Sequence, residues 1–157
     1  MSAVEAEAAL PLSKGEAAAV AAMATAFADV LPAGPAEPYR ELAATAEGRA
    51  VPPEQVPMLE RVCSLALETG KARQIGRAEF ERLLTAVLRR TPHGRALTGQ
   101  VEEVNRALGQ LAGRQLDDAR LNWGKPGHCE LSISAGGVNL TVAITPDAVT
   151  VRTLSVG

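Results

Sequence analysis

Near Gly113 the period of the apolar residues changes. Upstream they recur every three or four positions; from Leu116 to the end they alternate every second position. The first period belongs to helices with one buried face and the second to strands. The switch therefore predicts an α+β fold: an N-terminal helical bundle of about five helices followed by a small C-terminal antiparallel β-meander of three to four strands. It divides the chain into a flexible arm over 1–12, a helical region over 13–113, and a sheet region over 114–157 packed on the helices or on a second copy. A length of 157 residues suits one domain, or a helical unit with a small one appended.

Start and stop signals place the helices. Ser13-Lys14-Gly15-Glu16 has capping-box spacing and opens a helix with Val20, Met23, Phe27 and Val30 on one stripe. Pro32-Ala33-Gly34-Pro35 ends it. A second helix is expected over about 37–47, stopped by Gly48. Pro52-Pro53 opens a third, whose residues Met58, Leu59, Val62, Cys63, Leu65, Ala66 and Leu67 surround most of its circumference, which marks it as central. Residues 71–76 are polar and fit a helix or a loop. Residues 77–90 form a helix with Phe80, Leu83, Leu84, Val87 and Leu88 inward. Thr91-Pro92 supplies an N-cap and first residue for a last helix running to about Ala112. On it Leu97, Val101, Val104, Leu108 and Leu111 fall at 4-3-4-3 spacing, an apolar seam of about two heptads.

The sheet is read from alternation and turns. Residues 129–135 and 138–144 flank Gly136-Gly137, a pair suited to the positive φ values of a two-residue hairpin. That loop sets Ala135 opposite Val138, Ile133 opposite Leu140, Leu131 opposite Val142 and Cys129 opposite Ile144, all on one face. An earlier strand over 116–123 puts Ala119, Leu121 and Trp123 on one side and joins through Gly124-Lys125-Pro126-Gly127. In the last strand Val149 and Val151 have one parity and Leu154 and Val156 the other, which predicts a bulge. Pro146 cannot take a primed-turn conformation, which likewise predicts a longer loop or a bulge.

Composition excludes several functions. Aromatic residues make up 3% of the chain and net charge is -2, which gives no overall pull toward nucleic acid or anionic lipid. No window of 18 apolar residues exists for a membrane span. The N-terminus lacks the basic and apolar regions of a secretory signal, and Cys63 and Cys129 form no framework, so a reducing, cytoplasmic location is expected of this bacterial-like composition. Cys63 lies in the most apolar helix and reads as core. His93 and His128 are isolated, and no catalytic, cofactor-binding or metal site is expected; the cofactor expectation is none.

Charge is uneven. Residues 1–70 carry four basic and ten acidic side chains, whereas 71–95 carry seven basic and two acidic. Arg73, Arg77, Arg89, Arg90 and Arg95 are the candidates for anion or nucleic-acid contact, against the plainer reading of internal charge balance. The favoured function is a non-catalytic protein-interaction or assembly module, with itself as partner (a homo-oligomer, a dimer first) or another protein. Nucleic acid and membrane are not expected partners. The alternative is a nucleic-acid-associated regulator using 71–95; an enzyme with His93 or His128 as base ranks third. Interaction candidates are the seam Leu97, Val101, Val104, Leu108 and Leu111 and the last-strand residues Val149, Val151 and Leu154, the strand being favoured because exposed edges are pairing templates.

Overall fold

A computed structural model of the chain describes residues 8–157. Among them five α-helices precede a four-stranded antiparallel sheet, so the class is α+β as the change of period predicts. The chain divides into two compact units after Gly94. Most of the last helix falls in the second unit, where it shares a core with the sheet.

In the first unit, β1 (Leu10–Pro11) pairs antiparallel with β2 (Ala50–Val51), and Leu12 is buried. The expected arm is thus tied down over residues 10–12, while residues 1–7 lie outside the described residues. Ser13 caps α1 (Lys14–Ala28) reciprocally: its hydroxyl accepts the Glu16 N–H at 3.2 Å and the Glu16 carboxylate accepts the Ser13 N–H at 2.8 Å. Then come α2 (Ala33–Glu47), a 3-10 turn at Pro53–Gln55, α3 (Val56–Glu68) and α4 (Lys71–Arg90). Four alanines buried in α1 add little apolar area. The larger fully buried residues Val20, Met23, Leu42, Leu59, Val62, Leu84 and Val87 carry the core, each stabilising by about 1.5–3 kcal/mol.

Several local expectations change. α1 stops at Ala28, which leaves Val30 78% exposed instead of on the inner stripe. α2 begins at Ala33, since Pro35 falls in the first turn, where its missing N–H costs no bond. Gly48 stays right-handed and Arg49 takes the positive φ of 62° that ends the helix; Arg49 is held there by the backbone bond Leu12 N–H to its carbonyl, 2.9 Å. α3 starts after the prolines, at Val56, and buries Leu59, Val62, Cys63 and Ala66 while Leu65 is half-buried. Residues 71–76 are helical, and the helix kinks at Arg77, whose φ of 54° lies in the left-handed half of the map.

Helix α5 (Pro92–Gly109), whose residues from Arg95 on belong to the second unit, precedes β3 (Leu116–Lys125), β4 (His128–Ala135), β5 (Val138–Thr145) and β6 (Ala148–Val156), in the spatial order β3-β4-β5-β6. Thr91 is fully buried and N-caps α5: its hydroxyl accepts the Gly94 N–H at 3.2 Å and donates to the Leu88 carbonyl at 2.7 Å. The helix ends at Gly109, three residues before the expected Ala112. All four β4–β5 pairs match the predicted register, with Gly136 and Gly137 at φ 50° and 83°. The bulge in β6 is Arg152: Thr153 pairs with Thr141 and Val151 with Val142. Of the longer loop or bulge expected around β6, the bulge is formed and the loop is not: Thr145 pairs with Ala148 around a two-residue turn in which neither Pro146 nor Asp147 takes a positive φ.

Candidate interaction surface

The pleat sorts the sheet into two faces. One carries Ala119, Leu121 and Trp123 of β3, Cys129, Leu131 and Ile133 of β4, Leu140 and Val142 of β5, and Val149, Val151 and Leu154 of β6, since each lies opposite the next in register. α5 covers the middle of this face. Val104 and Ala107 are buried against Leu140 and Val142, with Leu108, Leu111, Leu131, Val149 and Val151 packed around them. The candidate seam is therefore largely consumed within the unit. Leu97 is half-buried, and Val101 is 42% exposed and lies outside this core.

The helix does not reach β3. Leu121 is 65% exposed and Trp123, the only tryptophan, 71%. Sequence reasoning placed both on one face but did not single them out. The signal was available: the first strand of a meander lies at an edge, so its apolar residues have cover on one side only.

The two edges of the sheet differ. Ladder bonds alternate, and a two-residue hairpin closes on a hydrogen-bonded pair, here Ala135 and Val138. Counting from it, Ser134, Ser132 and Glu130 bond toward β3, engaging Asp118, Arg120 and Asn122. The N–H and C=O groups of Ala119, Leu121 and Trp123 then point outward from a stretch free of bulges between Asp118 and Trp123. β6 is blunted. Arg152 bulges from its middle, and the Gln100 side-chain carbonyl accepts the Val149 N–H at 3.0 Å. Leu154 is 42% exposed on this edge.

Two of the five arginine candidates, Arg73 and Arg90, are engaged within the first unit, and Arg77 is exposed at the kink of α4. Arg90 bonds the Glu16 carboxylate at 2.6 Å and the Pro11 carbonyl at 2.7 Å, tying the end of α4 to the start of α1. Arg73 reaches Glu81 at 2.9 Å, eight residues on, because the kink at Arg77 folds the helix between them. Arg82 pairs with Glu79 at 2.7 Å; their hydrogen bond lowers the Glu79 pKa and raises that of Arg82. Arg89 is exposed, and Arg95 is exposed in the second unit.

Groups with catalytic potential do not converge among the described residues. His128 and Cys129 point to opposite faces at a shallow depression of about 300 Å³ that also borders Glu130 and Arg152, themselves 4.0 Å apart. The Cys63 thiol is pushed up to about 12, by burial first and the Glu60 carboxylate second. Glu60 also accepts the His93 N–H at 3.0 Å, supporting the start of α5. Among the described residues no three potential ligands cluster around a metal position, and no helix is long and apolar enough to cross a membrane. Compared with known proteins, the chain matches no family model, no curated protein and no solved structure.

Proposed function

We propose that the chain is a non-catalytic protein-interaction module that self-associates through its C-terminal sheet. The observation that carries this reading is the outer strand β3, where an exposed leucine and an exposed tryptophan accompany unpaired backbone groups. An edge of this kind binds another strand through its main chain and gains specificity from alternate side chains. β6, the strand favoured by its sequence, is the weaker template because its bulge and the Gln100 bond occupy it. The reading includes a cytoplasmic location, supported by two free cysteines.

The test is light scattering on the eluting protein at about 100 μM, where a contact of about 1 μM is nearly saturated. A dimer or larger species supports the reading. A monomer overturns self-association.

A further inference from the structure

We propose that the occupant of the β3 edge is a second copy of β3, antiparallel, with Leu121 opposite the partner's Leu121, so that two four-stranded sheets become one of eight. This rests on the self-association proposed above and adds its strand and register.

Three features of the strand select that register. Outward backbone groups belong to Ala119, Leu121 and Trp123, and a two-fold axis at Leu121 brings these same residues into hydrogen-bonded pairs, Ala119 with the partner's Trp123 and Leu121 with the partner's Leu121. Sizes match, since the smallest of the three faces the largest and each flattens the step the other makes on the apolar face. Charges do not conflict within the bulge-free stretch: Arg120 comes opposite the partner's neutral Asn122.

Neighbouring registers lose these matches. An axis at Arg120 places two guanidinium groups directly opposite, which is destabilising. An axis at Ala119 carries Leu121 and Trp123 past the partner's Asp118, out of the bulge-free stretch. An axis at Asn122 carries Ala119 past the partner's Trp123, out of that stretch at its other end. The pairing unites the exposed Leu121 and Trp123 side chains of both copies into one apolar strip, continuous with the face that α5 covers. One ladder and four large side chains make a small interface, and micromolar affinity is expected.

Cysteine cross-linking reads the axis directly, because only the residue on it meets its own counterpart within the Cα separation that a disulfide bridges. In a Cys129→Ser background, the variants A119C, R120C, L121C and N122C are oxidised mildly and resolved without reductant. L121C is expected to cross-link as a dimer and the other three are not. Cross-linking at 119, 120 or 122 in place of 121 overturns the register. A protein that self-associates by light scattering yet cross-links at none of the four overturns pairing through β3 and leaves the interaction module standing. A second variant checks the main-chain contact. Leu121→Pro deletes a donor that points away from β4, so the circular dichroism spectrum should be retained while the dimer becomes monomer. A folded Leu121→Pro protein that remains a dimer overturns the proposal.

Discussion

Val151 and Leu154, three residues apart in β6, lie opposite Val142 and Leu140, two residues apart in β5. Arg152 is the surplus residue, and its bulge lets both side chains face the same way. Deleting Arg152 should therefore preserve the sheet, because Thr153 then follows Val151 in a regular ladder. Its exposed contact with Glu130, 4.0 Å away, contributes little. Deleting Thr141 from central β5 should instead unfold the sheet, since a one-residue slip turns every later side chain to the other face. Circular dichroism melts of the two deletions check the contrast.

Gly137 holds φ 83° at the tip of the β4–β5 hairpin, and a Cβ there meets only the Gly157 carbonyl at an ordinary 3.5 Å. Space is available; the backbone conformation is not. Gly137→Val is expected to cost more than about 1 kcal/mol, since a β-branched residue resists positive φ. Denaturant unfolding followed by Trp123 fluorescence measures it.

That hairpin was legible in the sequence because turn chemistry and alternation are both local, and they agreed on Ala135 opposite Val138. The Arg152 bulge was legible for the same reason, as a parity conflict within a few residues. The share of the apolar face left open was not. The last helix reads as a stripe of Leu97, Val101, Val104, Leu108 and Leu111, and nothing local says that it stops short of β3 and leaves Val101 outside the core. The positive φ at Arg49 and Arg77 was equally hidden, since neither residue type advertises it, and Arg49 is held by a bond to Leu12, 37 residues away.

The glycines of α5 separate by their surroundings. A Cβ on Gly94 would overlap the Leu88 carbonyl, which is backbone and cannot step aside, whereas nothing lies within 4 Å of one on Gly99. Gly94→Ala is expected to destabilise by about 1–3 kcal/mol through overpacking. Gly99→Ala should stabilise by up to about 1 kcal/mol, the difference in helix propensity. Paired thermal melts give the opposite signs.

Cys63 should resist iodoacetamide at pH 8 in the folded protein while half-buried Cys129 reacts, as peptide mapping will show. The thiol also makes stability depend on pH. Folding raises its pKa from 9.0 to about 12, so the folded state keeps a proton that the unfolded state releases. This contribution is complete below pH 9 and is lost as pH rises toward 12. A Cys63→Val variant should lose less stability than the native protein across that window.

Arg73, Arg82 and Arg90 are each within 3 Å of a carboxylate. Random-sequence DNA and RNA should accordingly show no binding tighter than about 10 μM at 150 mM salt by fluorescence anisotropy, weaker than free phosphate contacts of this number usually give. Tighter binding that weakens steeply with salt, with a slope flattened by about two in the Arg89→Ala, Arg90→Ala double variant, would favour the nucleic-acid reading.

The strand order of the C-terminal sheet repeats the order of the chain, and every connection is a two-residue turn. Each strand finds its partner with almost no loop to close, on the microsecond scale of isolated hairpins. β1 and β2 are the opposite case: Leu10 meets Val51 only after two helices between them have formed and packed. Loop closure makes that pairing slow to arrive, and its two-residue length makes it quick to open. Hydrogen exchange should set in there first, so that the chain loosens from its N-terminal seam while the meander still holds its amides.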